Sequence, residues 1–318
     1  MNRRSFIQTA SRAAAATATV GALPLGTFAQ QPRTRMTINL VCGAIGVEAR
    51  TQADVNALAV KHGFQSVEAL GGELAGMSQT QLEDLLGSMK QNRIVFGACG
   101  LSVDFRGSEE GFQESLRKFK PVAAGLKRAG VDRVNTWLSP SSRDLTYIQN
   151  FRQHADRLRQ VAQVLKDHGQ RLGLEYVGTH TLLVRGKYPF VHTLGETRDL
   201  IAEIGTGNVG LVLDSWHWWQ AGDSGEDIQS LTNHDIIAAD LNDAPKGRKK
   251  NEQIDGQREL PMATGEIDAA TFLNAMNRVG YDGPVRAEPF NAPLRAMDND
   301  AACAATSQAM KKAFALIT

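Results

Sequence analysis

From Arg35 onward, short apolar runs alternate with longer stretches whose apolar residues recur at helical spacing. Thr37–Val47 (TINLVCGAIGV) predicts a first strand, and Gln52–Gly63 the helix after it, ending on a glycine as helices often do. Ser66–Leu70 predicts the second strand, with a helix beginning near Gln79. Ile94–Val103 is the third strand, followed by the helix Gly111–Ala129, closed by Gly130. Val134–Leu138 is the fourth, and the long amphipathic stretch Thr146–His168 follows it. Arg171–Val177 then pairs with the helix Glu196–Ile204, Val209–Asp214 with a short helix around Glu226–Leu231, and Ile236–Asn242 with Asp268–Val279 across a long polar loop. Pro284–Glu288 precedes the C-terminal helix Asp298–Ile317. Strict alternation of strand and helix implies parallel strands joined by right-handed crossovers. Eight such units predict a closed (β/α)8 barrel, a fold that typically takes about 250 residues. The 318-residue chain accommodates that barrel over residues 35–318 as one domain. A dinucleotide-binding glycine pattern is absent from the first strand–helix turn.

The second half of the chain ends four of its apolar runs in acids: Glu175 in RLGLEYVG, Asp214 in NVGLVLDSWHWW, Asp240 in IIAADLNDAP and Glu288 in GPVRAEPFN. Side chains alternate across a strand with period two. Asp214 therefore shares a face with Val212 and Gly210, Glu175 with Gly173, Asp240 with Ala238, and Glu288 with Arg286. Small residues on that face suit a barrel interior. The four carboxylates then converge at the C-terminal rim, where active sites of barrels lie. Negative charges about 4 Å apart repel by roughly 4 kcal/mol per pair at an effective dielectric near 20, so the cluster calls for a cation, a shared proton or basic partners. A divalent metal site is the expectation.

Composition changes this picture little. A formal charge of +1 gives no reason to expect nucleic acid or an anionic membrane as partner. The three cysteines, Cys42, Cys99 and Cys303, are widely spaced and odd in number, which predicts neither a disulfide framework nor a zinc site. Residues 1–29 carry Asn-Arg-Arg-Ser-Phe-Ile, a weakly apolar stretch from Ala13 to Leu25 and a small-residue exit at Thr27-Phe28-Ala29. This resembles a cleavable twin-arginine export signal, and the stretch falls short of the about 20 apolar residues that span a bilayer. The expected location is periplasmic or secreted, without a stable membrane anchor.

Glu175 after the fifth strand, the Asp-x-x-His of Asp214 and His217 after the sixth, and Glu288 in AEPF after the eighth resemble the xylose-isomerase-like TIM-barrel superfamily, most closely its sugar isomerase/epimerase branch. The stretch LNDAP…RELPMATGEIDAATF…GYDGPVRAEPF is similar to that branch's C-terminal third. The resemblance implies one divalent ion held by Glu175, Asp214, a variable third residue and Glu288. The third position, commonly His or Gln, matches Asp240 here, which binds either the metal or a substrate hydroxyl. An all-carboxylate set favours oxygen-preferring ions, manganese before magnesium or cobalt. The resemblance also implies that Glu175 and Glu288 transfer protons from opposite sides of the substrate, that His217 contacts a substrate oxygen, and that Lys246 lies nearest the basic position after the third ligand. Arg258 is a further substrate-binding candidate or a loop anchor. His180 is either a rim contact or part of a solvated loop, and Trp216, among the tryptophans around His217, either offers an aromatic floor to a sugar or packs the sixth helix against the barrel.

A metal bound to two adjacent oxygens of a hydroxy-carbonyl compound stabilises an enediolate. Proton return to the other face of one carbon is epimerisation, return to the neighbouring carbon is isomerisation, and loss of a β-hydroxyl is dehydration. The expected activity is metal-dependent isomerisation or epimerisation of an unphosphorylated sugar or keto-sugar derivative, with a lyase as runner-up and a sugar-binding periplasmic protein as the non-enzyme rival. A two-carboxylate glycoside hydrolase and an abasic-site endonuclease rank below these. The oligomeric state stays open, a homo-oligomer included.

Overall fold

The computed structural model describes residues 34–318. The export-signal reading lies outside them. Nine strand segments make one parallel sheet: β1 (Thr37–Leu40), β2 (Ser66–Val67), β3 (Val95–Phe96), β4 (Cys99–Gly100), β5 (Arg133–Trp137), β6 (Arg171–Glu175), β7 (Val209–Asp214), β8 (Ile236–Leu241) and β9 (Pro284–Ala287). Their order in the sheet is β3-β2-β1-β9-β8-β7-β6-β5-β4. The two edges, β3 and β4, are consecutive pieces of the single run predicted as the third strand. β3 pairs with β2 and β4 with β5, so one kinked strand joins the two edges and the sheet curls on itself as a barrel. The kink falls at Gly97, where an added Cβ would lie 2.6 Å from Asn39 Oδ1 inside the cylinder.

Several predicted strands are longer in sequence than in structure. The first ends at Leu40, and Cys42–Ile45 forms a 3-10 turn closed by Gly46 at φ 77°, with the Cys42 N–H bonded to Glu68 Oε1 at 2.7 Å. The second keeps only Ser66–Val67. The sixth strand leads directly into a helix at Ser215–Ala221, capped by Asp214 itself, before the short helix Gly225–Gln229. Glu109–Arg128 begins two residues earlier than the apolar period suggests because Ser108 accepts the Gly111 N–H. A two-residue antiparallel pair, Ser141–Ser142 with Tyr188–Pro189, lies beyond the barrel strands and has no sequence signal of its own.

Packing divides into an outer layer and a filled cylinder. Leu172, Leu174, Leu211 and Leu213 on the outward parity are buried under the helices. On the inward parity Gly173 leaves room for neighbours: a Cβ there would meet Val212 Cγ2 at 2.8 Å and Ile237 Cβ at 2.9 Å. Ile237 reaches the interior through an irregularity between Ile236 and Ala238 in the β7–β8 register. Cys42, Cys99 and Cys303 are buried and unpaired. Among the described residues no helix is long and apolar enough to cross a membrane.

Candidate active site

The four acids expected at one rim of the barrel lie together. β6, β7, β8 and β9 lie side by side, with Glu175 and Asp214 ending β6 and β7, Asp240 near the end of β8 and Glu288 just past β9. One carboxylate oxygen from each of the four falls within 4.8 Å of the others. Three of these carboxylates already have cationic partners. Arg286 donates to both oxygens of Asp240, from Nε at 2.6 Å and Nη2 at 2.8 Å, and from Nη2 to Glu288 Oε1 at 2.8 Å. Arg258 Nη1 donates to Asp214 Oδ2 at 2.7 Å, and its Nη2 to Asp255 Oδ1 at 2.8 Å. Glu175 differs: its Oε1 is buried without a hydrogen-bond partner.

Electrostatics follow from that inventory. Burial raises the Glu175 carboxyl well above the usual range, and the charges of Glu288, Asp240 and Asp214 push it further up. Burial likewise raises Glu288, to about 7, against the opposing pull of Arg286. His217 is buried too, and desolvation lowers it to about 4 despite Asp214. It is therefore neutral at pH 7. Its Nε2 lies 3.2 Å from Arg258 Nη2, and since a guanidinium only donates, Nε2 accepts and Nδ1 carries the proton. Nδ1 faces Thr179 Oγ1 at 3.4 Å, which also accepts from Trp216 Nε1 at 2.8 Å and donates to Asp255 Oδ1 at 3.1 Å.

Asn242 completes the scaffold, donating from Nδ2 to Asp214 Oδ1 at 2.9 Å while its Oδ1 accepts the Glu288 N–H at 2.8 Å. Asp243, of opposite parity, accepts the N–H groups of Ala244, Thr264, Gly265 and Ile267 and so clasps the loop that delivers Asp255 and Arg258. Phe290 lies across the Arg258 guanidinium at 4.8 Å, with its backbone in the left-handed region at φ 42°. A bulky residue there is strained, and such strain gathers at functional sites.

A cavity of about 370 Å³ opens onto Glu175, Glu288, His217, Asp255, Arg258 and Arg286, with Trp137 and Phe290 among its walls. Of the sequence candidates, Glu175, Glu288, His217 and Arg258 line it. Asp214 and Asp240 lie within the carboxylate cluster. Lys246 and His180 are exposed and do not line it, and Trp216 is fully buried beneath Arg258 rather than on the cavity wall. Sequence reasoning missed Arg286, Asp255, Asn242 and Trp137. Only Arg286 carried a signal, since parity already set it beside Glu288.

The residues fit a divalent cation. They offer a set of hard oxygen donors, one of them the orphaned Glu175 Oε1, and the four clustered carboxylates outnumber the two guanidinium groups, Arg258 and Arg286, that contact them. Asp240 is the donor most fully engaged, because Arg286 occupies both its oxygens.

Comparison with known proteins agrees with this fold. A family model described as a xylose isomerase-like TIM barrel matches residues 57–313. An inosose isomerase of Bacillus velezensis is 25% identical over 239 residues, 73% of this chain and 81% of that one. A 3-dehydroshikimate dehydratase of Pseudomonas aeruginosa is 31% identical over 144 residues, 45% of this chain and 21% of that one. A xylose isomerase domain protein from Alicyclobacillus acidocaldarius shares the fold at TM-score 0.77 and 28% identity, covering 89% of this chain and 99% of that one. The IOLI protein, solved with a bound zinc atom, is alike in fold at TM-score 0.71 and 22% identity, over 88% and 98% of the two chains.

Proposed function

Because this chain belongs to the xylose isomerase-like TIM-barrel family, we propose that it is a divalent-metal-dependent sugar isomerase or epimerase. It moves a proton next to the carbonyl of a sugar or keto-sugar derivative. The observation that carries the reading is the pair Glu175 and Glu288. They face one cavity from strands three places apart in the sheet, and burial raises both carboxyls above the usual carboxylate range, Glu288 to about 7.

Two carboxylates can act as base and acid when their environments let one hold a proton that the other lacks. The deprotonated glutamate takes the proton α to the carbonyl, and the protonated one returns a proton to the enediolate from across the cavity. Arg258, fixed by Asp214 and Asp255, orients His217 through Nε2 and holds the site's charge in register. Arg286 does the same for Asp240 and Glu288. Phe290 and Trp137 give the cavity aromatic walls. Glu175, Asp214, Glu288 and the remaining lone pairs of Asp240 would hold the ion. When bound it supplies Lewis-acid polarisation of the substrate oxygens.

The test is incubation of the manganese-loaded protein with a panel of sugars and keto sugars in D₂O. Deuterium entering at one carbon supports the reading; binding without exchange on every compound would reject it. The dehydratase relative supports a second reading, in which the same carbanion expels a β-hydroxyl. Product analysis by NMR separates the two.

Ion binding should be linked to pH. A cation must displace the proton that burial keeps on Glu288, whose pKa is raised to about 7. The apparent Kd for Mn²⁺ is expected to weaken by at least about tenfold per pH unit as pH falls below about 7, because the raised Glu175 carboxyl must also give up its proton. Calorimetry at pH 6 should find at least one proton released per ion in the wild type and fewer in Glu288→Gln. A Kd flat from pH 5 to 8 would contradict this.

We extend the reading to compartment: twin-arginine export sends the folded enzyme outside the cytoplasm, where phosphorylated metabolites are scarce, so an unphosphorylated substrate is expected. Changing both Arg3 and Arg4 to Lys should leave full-length protein in the cytoplasmic fraction, where the wild type yields a shortened periplasmic form.

A further inference from the structure

Arg106 carries a positive charge into the wall of the same cavity, in the loop between β4 and the helix Glu109–Arg128. The other two arginines lining that cavity are committed: Arg258 to Asp214 and Asp255, Arg286 to Asp240 and Glu288. His217 is neutral there. Arg106 Nε and Nη2 are buried with no hydrogen-bond partner among the described residues, and no carboxylate lies within ion-pair distance of it. The carboxylate nearest in sequence, Asp104, is turned to its own loop, accepting the Gly107 N–H at 3.0 Å. Burial lowers the Arg106 pKa to about 10, with only the charge of Asp104 opposing.

Such a group is costly to leave without a counter-charge, and the structure holds it in place. Its guanidinium stacks at 4.2 Å on Phe105 and at 4.2 Å on Trp137. Arg157, itself buried, donates from Nη1 to the carbonyls of Phe105 and Gly107, which flank Arg106, at 3.0 and 2.8 Å. Trp137 is half exposed and sits opposite Glu175 in the β5–β6 register, so the stacked guanidinium lies one strand from the orphaned carboxylate. A planar, pre-stacked fork suits the bidentate capture of a planar oxyanion.

We propose that Arg106 recognises a carboxylate on the substrate, which makes the natural substrate an acidic keto sugar or keto polyol rather than a neutral one. The inference rests on the proton-transfer reading of Glu175 and Glu288 and adds to it the chemical class of the substrate. Phe105 and Trp137 both stack on the guanidinium, and Trp137, being half exposed, can shift to admit the anion to the buried Nε and Nη2 edge.

The experiment compares three compounds of one carbon skeleton on the manganese-loaded full chain in D₂O: a neutral ketohexose, the corresponding keto acid and the corresponding phosphate monoester. A charge-assisted hydrogen bond predicts a kcat/KM for exchange about ten- to a hundredfold higher for the keto acid than for the ketohexose. Arg106→Leu should bring that ratio close to one, and Arg106→Lys, which keeps the charge without the fork, should leave an intermediate ratio. The lysine variant also serves if the leucine variant fails to fold. Equal losses on acid and neutral compounds would mean that Arg106 only packs, overturning the proposal while the isomerase reading stands. An Arg106-dependent preference for the phosphate ester would overturn the carboxylate assignment. Should no compound exchange, the isomerase reading fails. Calorimetric binding of the keto acid, lost in Arg106→Leu, would still support the anion site, and its absence would end that proposal too.

Discussion

Replacing Glu175 by Gln is expected to lower deuterium exchange into a keto-sugar substrate by about 10²- to 10⁴-fold, the range that positioned proton transfer contributes. The substitution preserves shape and removes the charge. It also relieves repulsion with Glu288, Asp240 and Asp214, the charges that with burial hold the Glu175 carboxyl high. The variant should therefore be as stable as the wild type or more so, and thermal melting of the ion-free protein checks that. Loss of exchange with unchanged or raised Tm points to chemistry rather than folding. Full exchange in both Glu175→Gln and Glu288→Gln would remove the proposed roles altogether.

Arg258→Met has the largest expected effect on stability. The side chain is buried, and its charge lies against Asp214 and Asp255, both partly or wholly out of water. Removing one member of a buried ion pair leaves the other uncompensated, at a cost of about 3–5 kcal/mol. Methionine keeps the bulk beneath Phe290 and Trp216 but supplies none of the donors. The urea midpoint of unfolding should fall accordingly, with the slope unchanged, and raising Mn²⁺ should recover part of the loss because a cation can replace the missing charge. A shift below about 1 kcal/mol would show that the acids had taken up protons instead.

Alternation of apolar runs with amphipathic stretches revealed the barrel because each strand–helix unit repeats the same burial problem. Parity on β6, β7, β8 and β9 brought Glu175, Asp214, Asp240 and Glu288 together for a similar reason: each side chain's direction is fixed by its neighbours in the strand. What stayed hidden depends on contacts between distant segments. Nothing local marks Arg258 as the partner of Asp214, 44 residues earlier, and Asn242 is one more polar residue beside an acid until Glu288 N–H meets it. Trp216 reads like a sugar platform in sequence, yet its indole N–H is spent on Thr179 inside the core. The third strand looked continuous because its break, where Gly97 passes close to Asn39, leaves no mark in the polarity of the run.

That broken strand gives the cylinder a seam. Its ladders on either side hold two residue pairs each, against five between β5 and β6. Amide protons should exchange soonest along Val95–Gly100, since short ladders open at the least free energy, while those of β6 and β7 persist until the whole domain unfolds. The chain leaving the seam carries Arg106, whereas the acids stand on the slowly exchanging arc. Breathing of the wall can thus admit and release molecules without disturbing the spacing of the four clustered carboxylates.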